Sequence, residues 1–339
     1  MIVFFPTYAR RTSSGWQAAV AGMVTRPLPQ RSRRRALAVA VLKRLLDLSD
    51  AELDTEVFRR RADSFLFQRV AGRRLRVAVG DRIVEVGPSD KSGHFQAEFP
   101  LDEDFAAAHA RPAAGGCRWL TYTLVPDADL DEPAPETVGA GHIQLVEETG
   151  SSVISDIDDT VKISNVADRR ELLKNTLLRE FVPVPGMPEA FSRWEAAGAA
   201  FHYVSASPWQ LSNCLCSFLG AAGLPAGSMH LKLFRLKDST PLGRLTSRKR
   251  SKRRAIEQIM RDFPRRRFTL VGDSGERDPE VYAAVARRRP EQVAGVFIRR
   301  VPDRAAASHV SLRFDKLARR LPAGGLQTFV DAADLAPVP

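Results

Sequence analysis

Residues 156–160 read Asp156-Ile157-Asp158-Asp159-Thr160, a short run of side chains suited to phosphoryl chemistry. In an extended segment, residues two apart point to the same side, so Asp156 and Asp158 project together. Two carboxylates at close quarters repel unless a cation or a proton lies between them. A hard ion such as Mg²⁺ suits the pair, because it takes oxygen ligands and keeps waters that a phosphate can displace. Downstream, Gly272-Asp273-Ser274-Gly275-Glu276-Arg277-Asp278 offers Asp273 as a third carboxylate and Asp278 as a fourth. Ser205 adds a hydroxyl. Lys252 adds a cation: it lies four residues before Ile256, on the inward stripe of a predicted helix. Lys249, seven before Ile256, is the alternative if that helix starts earlier. Each residue also has a plainer use. Asp-x-Asp pairs occur in turns, Ser205 can end a strand, Lys252 can snorkel, and Asp278 before Pro279 makes a good helix N-cap. The order and spacing of the whole set carry the argument.

The elements that must position these residues begin at residue 151. Ser152–Ile157 reads as an apolar strand. Asp168 can cap a helix containing Leu172, Leu173 and Leu177, with Glu171 in the capping-box position. A helix over Met187–Ala197, a strand over Ala200–Ala206 and a helix starting at Ser207-Pro208 follow. His230–Phe234 is a strand, and Ser251–Asp262 is a helix with Ile256, Ile259, Met260 and Phe263 on one face. Arg267–Val271 and Val293–Ile298 are strands. Such alternation predicts an α/β fold, a doubly wound parallel sheet of Rossmann-like type with helices on both faces. Open parallel sheets bind ligands beyond the carboxyl ends of their strands, which is where Asp156, Ser205 and Asp273 fall. The helix carrying Lys252 starts at the same edge.

The first 150 residues read mainly as β. Arg74–Val79 and Arg82–Val86 alternate apolar and polar side chains around Gly80-Asp81, a hairpin signal. His94–Phe99, Arg118–Val125 and His142–Val146 alternate too, which predicts a small sandwich-like domain. Two helices interrupt it. Ser32 can cap Arg33–Leu48, with Leu37, Val41, Leu45 and Leu48 as one apolar stripe, and a second spans Ala51–Arg61. Asp127–Ala140 is a loop. The expected domains are residues 1–150 (mainly β, possible in lipid or substrate positioning), 151–305 (catalytic) and 306–339 (an extension packing on the catalytic domain).

Composition bounds the rest. The chain has 339 residues, 44% of them hydrophobic and 27% charged, which excludes disorder or a fibrous fold for most of it. No apolar run is long enough to span a membrane. Lys and Arg total 51 against 40 Asp and Glu, a net charge of +11 that attracts polyanions. The acid cluster is therefore no by-product of composition. Three cysteines (Cys117, Cys214, Cys216) form no disulfide framework and point to a reducing compartment. The N-terminus lacks signal-peptide order, so a cytoplasmic protein is expected, with peripheral attachment at the inner membrane face. The basic clusters Arg33–Arg35 and Arg248–Arg254 either meet anionic lipid or are solvated faces. No nucleic-acid reader motif is present, so nucleic acid is not an expected partner.

The four motifs resemble the haloacid dehalogenase superfamily of aspartyl-phosphate phosphotransferases. VISDIDDTVKISNV, HYVSASPWQL and FTLVGDSGERDPEVY are more closely similar to the catalytic domain of the actin-patch-associated phosphatidate phosphatase family. FFPTYARR, GWQAAVAGMVTRP and SGHF extend the resemblance to roughly residues 1–300. The resemblance implies a Mg²⁺-dependent phosphatase that converts phosphatidate and water to diacylglycerol and phosphate. Asp156 would be the nucleophile and Asp158 the general acid and base. Thr160 and Ser205 would bind phosphoryl oxygens, and Lys252 would balance charge. Asp156, the Asp158 carbonyl and Asp273 would hold the metal. Asp278 would orient Lys252 or reach the metal through water, and Asp159 would bond loop amides. Motifs lie about 45 and about 47 residues apart, spaces filled by core elements, so no large cap domain fits. Fungal members carry a long C-terminal tail for endocytic partners, so actin-patch association is not expected here. Alternatives are a phosphatase for a soluble or nucleic-acid phosphomonoester, and an idle binding module of the same fold.

Overall fold

The computed structural model describes residues 1–29, 31–46, 48–126, 137–232, 241–301, 314, 317–319 and 325–335, without the side chains of 38, 42, 45, 46, 138, 169 and 241–249. Two compact units emerge: Met1–Glu147 with Thr176–Arg179, and Glu148–Asn175 with Glu180–Pro339.

The first unit is mainly β. In chain order it contains β1 (Ile2–Phe5), β2 (Thr7–Thr12), β3 (Gly15–Pro27), α1 (Arg33–Leu46), α2 (Asp50–Leu53), α3 (Glu56–Asp63), β4 (Phe67–Arg69), β5 (Leu75–Val79), β6 (Arg82–Val86), β7 (His94–Leu101), α4 (Glu103–His109), β8 (Arg111–Pro112), β9 (Arg118–Val125), β10 (Thr137–Val138) and β11 (Gly141–Val146). The strands form one branched sheet with β3 as its hub. On one edge β3 pairs with β2 and then β1; on the other it pairs with β7 and then β4. Pro6 sits at the break between β1 and β2, where a missing N–H costs no ladder bond. β11 continues from β2 in parallel, followed by antiparallel β9, β5 and β6. Inward residues on alternate positions, among them Leu75, Val77, Val79, Leu120, Tyr122 and Ile143, build a single core. The predicted hairpin is β5–β6, with Gly80 at φ 58°, the left-handed value its turn needs.

Three local expectations are corrected. β1, β2 and β3 lie outside the strands that alternation predicts, because β3 mixes small apolar residues of both parities and shows no clean alternation. Ser32 does cap α1, accepting from the Arg35 amide, and Leu48 is buried, but Leu37 and Val41 are exposed. The stripe is thus not core-facing along its length. The helix expected over Ala51–Arg61 is broken into α2 and α3, because Thr55 caps the second by accepting from the Phe58 amide. Most of the predicted Asp127–Ala140 loop lies outside the described residues.

The second unit contains β12 (Gly150–Ser155), α5 (Arg169–Leu177), α6 (Met187–Ala196), β13 (Ala200–Pro208), α7 (Ser212–Ala221), β14 (Ser228–Lys232), α8 (Pro241–Asp262), β15 (Arg266–Asp273), α9 (Asp278–Arg288), β16 (Val293–Arg299) and β17 (Leu326–Phe329). Its sheet has the order β14-β13-β12-β15-β16-β17, and every neighbouring pair is parallel. That is the α/β sheet the alternation predicts, with β12 and β15 at its centre. Asp168 caps α5 as read, accepting from the amides of Arg170 and Glu171. Strand β13 runs through Ser207-Pro208, so α7 starts later than predicted, at Ser212. Leu233 and Phe234, the end of one predicted strand, lie outside the described residues, as does most of 306–339. Within that stretch, β17 pairs with β16 at the sheet edge. Among the described residues no helix is long and apolar enough to cross a membrane.

Candidate active site

β12 delivers Asp156 one residue past its last paired position, where the Asp156 amide donates to the Val271 carbonyl of β15 at 2.9 Å. β15 in turn delivers Asp273. The two acids thus sit on adjacent central strands at the carboxyl edge of the sheet. Both are buried, as are Asp158, Thr160, Ser205, Lys252, Ser274 and Asp278.

Lys252, from α8, connects the cluster. Its Nζ lies 2.8 Å from Asp156 Oδ1 and 2.5 Å from Asp278 Oδ1. Burial pulls Lys252 down, but the carboxylates of Asp156 and Asp278 outweigh it and hold the lysine well above its usual value. α8 begins earlier than predicted, the condition under which Lys249 was the alternative. The Lys249 side chain lies outside the described residues, and Lys252 fills the position. Asp278 does not cap α9: it is the first helical residue, and one oxygen goes to Lys252. Gly272 makes room for it, since a Cβ there would sit 2.4 Å from Asp278 Oδ2.

Each of Asp156, Asp273 and Asp278 keeps an Oδ2 that is buried without a hydrogen-bond partner among the described residues. Carboxylate oxygens of the three lie within 4.8 Å of one another. Burial first, then neighbouring acids, raise Asp156 and Asp273 well above the usual carboxylate range, with Lys252 opposing. Buried acceptors with no donor are costly. An all-oxygen set of this kind fits a hard divalent cation, which would supply the missing positive charge.

Asp158 points into a different environment. Its Oδ1 lies 2.7 Å from Lys162 Nζ and accepts from Ser164 Oγ at 2.7 Å. Its Oδ2 accepts from Ser207 Oγ at 2.6 Å and Ser205 Oγ at 3.3 Å. Burial alone would raise its pKa, but Lys162 reverses that and, with Ser207 and Ser164, pushes it down to about 2. The Asp158 carboxylate therefore stands outside the three-acid cluster, and its main-chain carbonyl is what remains for a metal. Asp159, at φ 55°, turns the loop and accepts from the amides of Ser164, Asn165 and Val166, the amide-bonding role expected of it. Thr160 Oγ1 is buried with no partner among the described residues. Ser205 Oγ accepts from the Ser207 amide while donating to Asp158. Ser274 Oγ accepts from the Val301 amide.

Lys162, Ser164 and Ser207 were missed in the sequence. A signal for the first two was present: Val161-Lys162-Ile163-Ser164 alternates, which puts Lys162 and Ser164 on one side and the apolar pair on the other. Beside Ser205 and Lys252 lies a cavity of about 160 Å³, also lined by Trp209, His230 and Ala255.

Comparison with known proteins points the same way. Residues 151–300 match the family described as the catalytic domain of phosphatidate phosphatase APP1. The Saccharomyces cerevisiae phosphatidate phosphatase APP1 is 34% identical over 172 residues, which is 50% of this chain and 28% of that protein. An uncharacterized Schizosaccharomyces pombe protein is 34% identical over 163 residues, 47% of this chain and 26% of that one. The chain thus spans under a third of the length of either relative. A solved Mesorhizobium loti chain, described as a candidate HAD-like phosphatase, aligns at TM-score 0.30 and 14% identity, covering 51% of this chain and 87% of that one. So low a score carries no argument.

Proposed function

From the match of residues 151–300 to the catalytic-domain family of phosphatidate phosphatase APP1, we propose that the protein is a Mg²⁺-dependent phosphatidate phosphatase working through an aspartyl-phosphate. The observation that carries the reading is the convergence of Asp156, Asp273, Asp278 and Lys252 on one buried point at the ends of β12 and β15.

An oxygen of Asp156 attacks phosphorus as the bond to the glycerol oxygen breaks, giving an acyl phosphate. Lys252 fixes Asp156 through Oδ1 and balances charge on the transferring group. Asp278 holds Lys252 from the other side. Asp156, Asp273 and Asp278, with the Asp158 carbonyl, would hold the cation, whose contribution when bound is Lewis-acid stabilisation of phosphoryl charge. Thr160, whose buried hydroxyl has no partner among the described residues, and Ser205 donate to phosphoryl oxygens. Water then attacks the acyl phosphate, phosphate leaves, and Asp156 is regenerated.

Asp158 has two roles in this scheme, and its surroundings favour one. Held as a carboxylate by Lys162, it is ready to take the proton of the attacking water. Giving a proton to the leaving alkoxide requires it first to take one up, as it does from the attacking water of a preceding turnover, and to move away from Lys162. A hydrophobic diacylglycerol product and a net charge of +11 fit peripheral action at an anionic membrane surface.

The test is phosphate release from phosphatidate in detergent micelles, beside lysophosphatidate, soluble phosphomonoesters and 3′-phosphorylated oligonucleotides. Phosphatidate should lead the panel, chelator should silence the enzyme, and Mg²⁺ should restore it. Asp156→Asn should lower turnover by many orders of magnitude while the fold persists. Preference for a soluble ester would move the protein to the alternative substrate class. Undiminished activity in chelator, or more than a few per cent of activity in Asp156→Asn, would overturn the mechanism.

A further inference from the structure

Helix α1 carries an apolar face that no described residue of its own unit covers. Leu37 is 68% exposed and Val41 57%, and Arg33, Ala36, Ala40 and Arg44 are exposed with them. At 3.6 residues per turn these six positions fall within about 140° of the helix circumference. Along the helix axis the alanines, leucine and valine occupy the middle of this face, with Arg33 at one end and Arg44 at the other. Arg34, also exposed, lies at the margin of the same face. The helix is anchored from elsewhere on its surface: Arg35 pairs with Asp63 at 2.6 Å, and Lys43 pairs with Asp50.

Charge decides what such a face can meet. The helix contains no acid. Among the described residues no acid pairs with Arg33, Arg34 or Arg44. A second copy docked through a two-fold axis would bring the same arginines together, which opposes self-association. A nucleic-acid groove would leave Leu37 and Val41 against phosphates. An anionic bilayer satisfies both parts, with the apolar side chains entering the interface while the arginine heads stay among the phosphates. We infer that α1 is a membrane-docking helix that lies in the plane of an anionic lipid surface.

This rests on the lipid-phosphatase reading for its purpose, so the experiment uses a lipid that is no substrate. Full-length protein is sedimented with vesicles of phosphatidylcholine alone and of phosphatidylcholine mixed with phosphatidylglycerol, at low and high salt. The wild type should bind the mixed vesicles, release as salt rises, and bind the neutral ones weakly. Leu37→Asp/Val41→Asp should weaken binding by about tenfold or more, as should Arg33→Gln/Arg34→Gln/Arg44→Gln. All these positions are exposed, so circular dichroism and hydrolysis of a soluble phosphomonoester should not change. Wild-type and variant proteins that sediment equally would overturn the inference. So would concentration-dependent self-association of the wild type that Leu37→Asp/Val41→Asp abolishes, which would make the face a contact between copies. Failure to hydrolyse micellar phosphatidate would sink the substrate reading alone, because vesicle binding is scored without turnover.

Discussion

Asp156 and Asp158 are two residues apart, yet each has its own lysine. Lys252 serves Asp156 and shares itself with Asp278, whereas Lys162 serves Asp158 and also donates to Ser164 at 2.6 Å. The ammonium of Lys162 lies 4.5 Å over the Phe181 ring, which helps to hold a fully buried cation in place. Lys162→Met should therefore lower kcat by about ten- to hundredfold with little change in KM, because it would unsettle the residue proposed for proton transfer and not substrate contacts. Lys162→Arg should recover part of the loss. Steady-state kinetics of the three proteins checks this, and an unchanged kcat in Lys162→Met would remove the lysine from the mechanism. At this scale the sequence was legible where type and spacing coincide with a chemical demand: Asp156, Asp158, Lys252, Asp273 and Asp278 all meet at one edge. Lys162 and Ser207 were not, because a single lysine or serine near a motif looks like any other until the loop folds back. Asp278 before Pro279 even read as a capping residue, a role the folded chain does not use.

Elements set how much freedom those residues have. The end of β15 is packed tightly enough that Gly272→Ala would drive a methyl group into Asp278 and toward Tyr282, whose ring carbon lies 2.7 Å from the added Cβ. Overpacking of this kind costs about 1–3 kcal/mol. The variant should lose both melting temperature and turnover, measured by thermal denaturation and phosphate release; normal values for both would show that this packing can relax. Strands β13 and β14 carry a different constraint. His202 Nδ1 lies 2.7 Å from Ser228 Oγ, which in turn lies 3.1 Å from His230 Nε2. Burial holds His202 well below the ordinary histidine value and pushes His230 down to about 4. Both are neutral in the folded protein, and the unfolded chain binds the extra protons. The contribution of these two histidines is therefore complete above about pH 6.5 and falls as pH drops from there toward 4, by up to about 1.4 kcal/mol per pH unit for each, against the opposite contribution of the raised acids Asp156 and Asp273. Urea titrations across this range should show the slope, and His230→Gln should flatten it. A stability difference between wild type and His230→Gln that is independent of pH between 6.5 and 4 would contradict the assignment. Parallel strands were easy to recognise because helices of clear 3.6-residue period separate them. β3 was not, since Ala18, Ala19, Ala21 and Gly22 give neither period. The stripe on α1 was read correctly as apolar, but periodicity reports a face and not what covers it.

Among the described residues each of the two units buries apolar side chains of its own, and this should be visible in how the chain melts. Leu120, buried on β9, belongs to the first. Leu120→Ala should destabilise that unit by about 2–5 kcal/mol. In scanning calorimetry two transitions are expected, of which the substitution lowers one. Hydrolysis of a soluble phosphomonoester should persist until the other, and a single transition moved as a block would show that the units unfold together. The six-stranded sheet has a last consequence. β12 and β15, which carry Asp156 and Asp273, each have a strand on both sides, so their amides are bonded within the sheet and shielded from its edges. Amides in such positions exchange with solvent deuterium only when the whole unit opens, while edge strands such as β14 and β17 exchange through smaller fluctuations. Asp156 and Asp273 are thus held by the slowest-exchanging part of their unit, and breathing at the sheet's margins leaves their spacing intact.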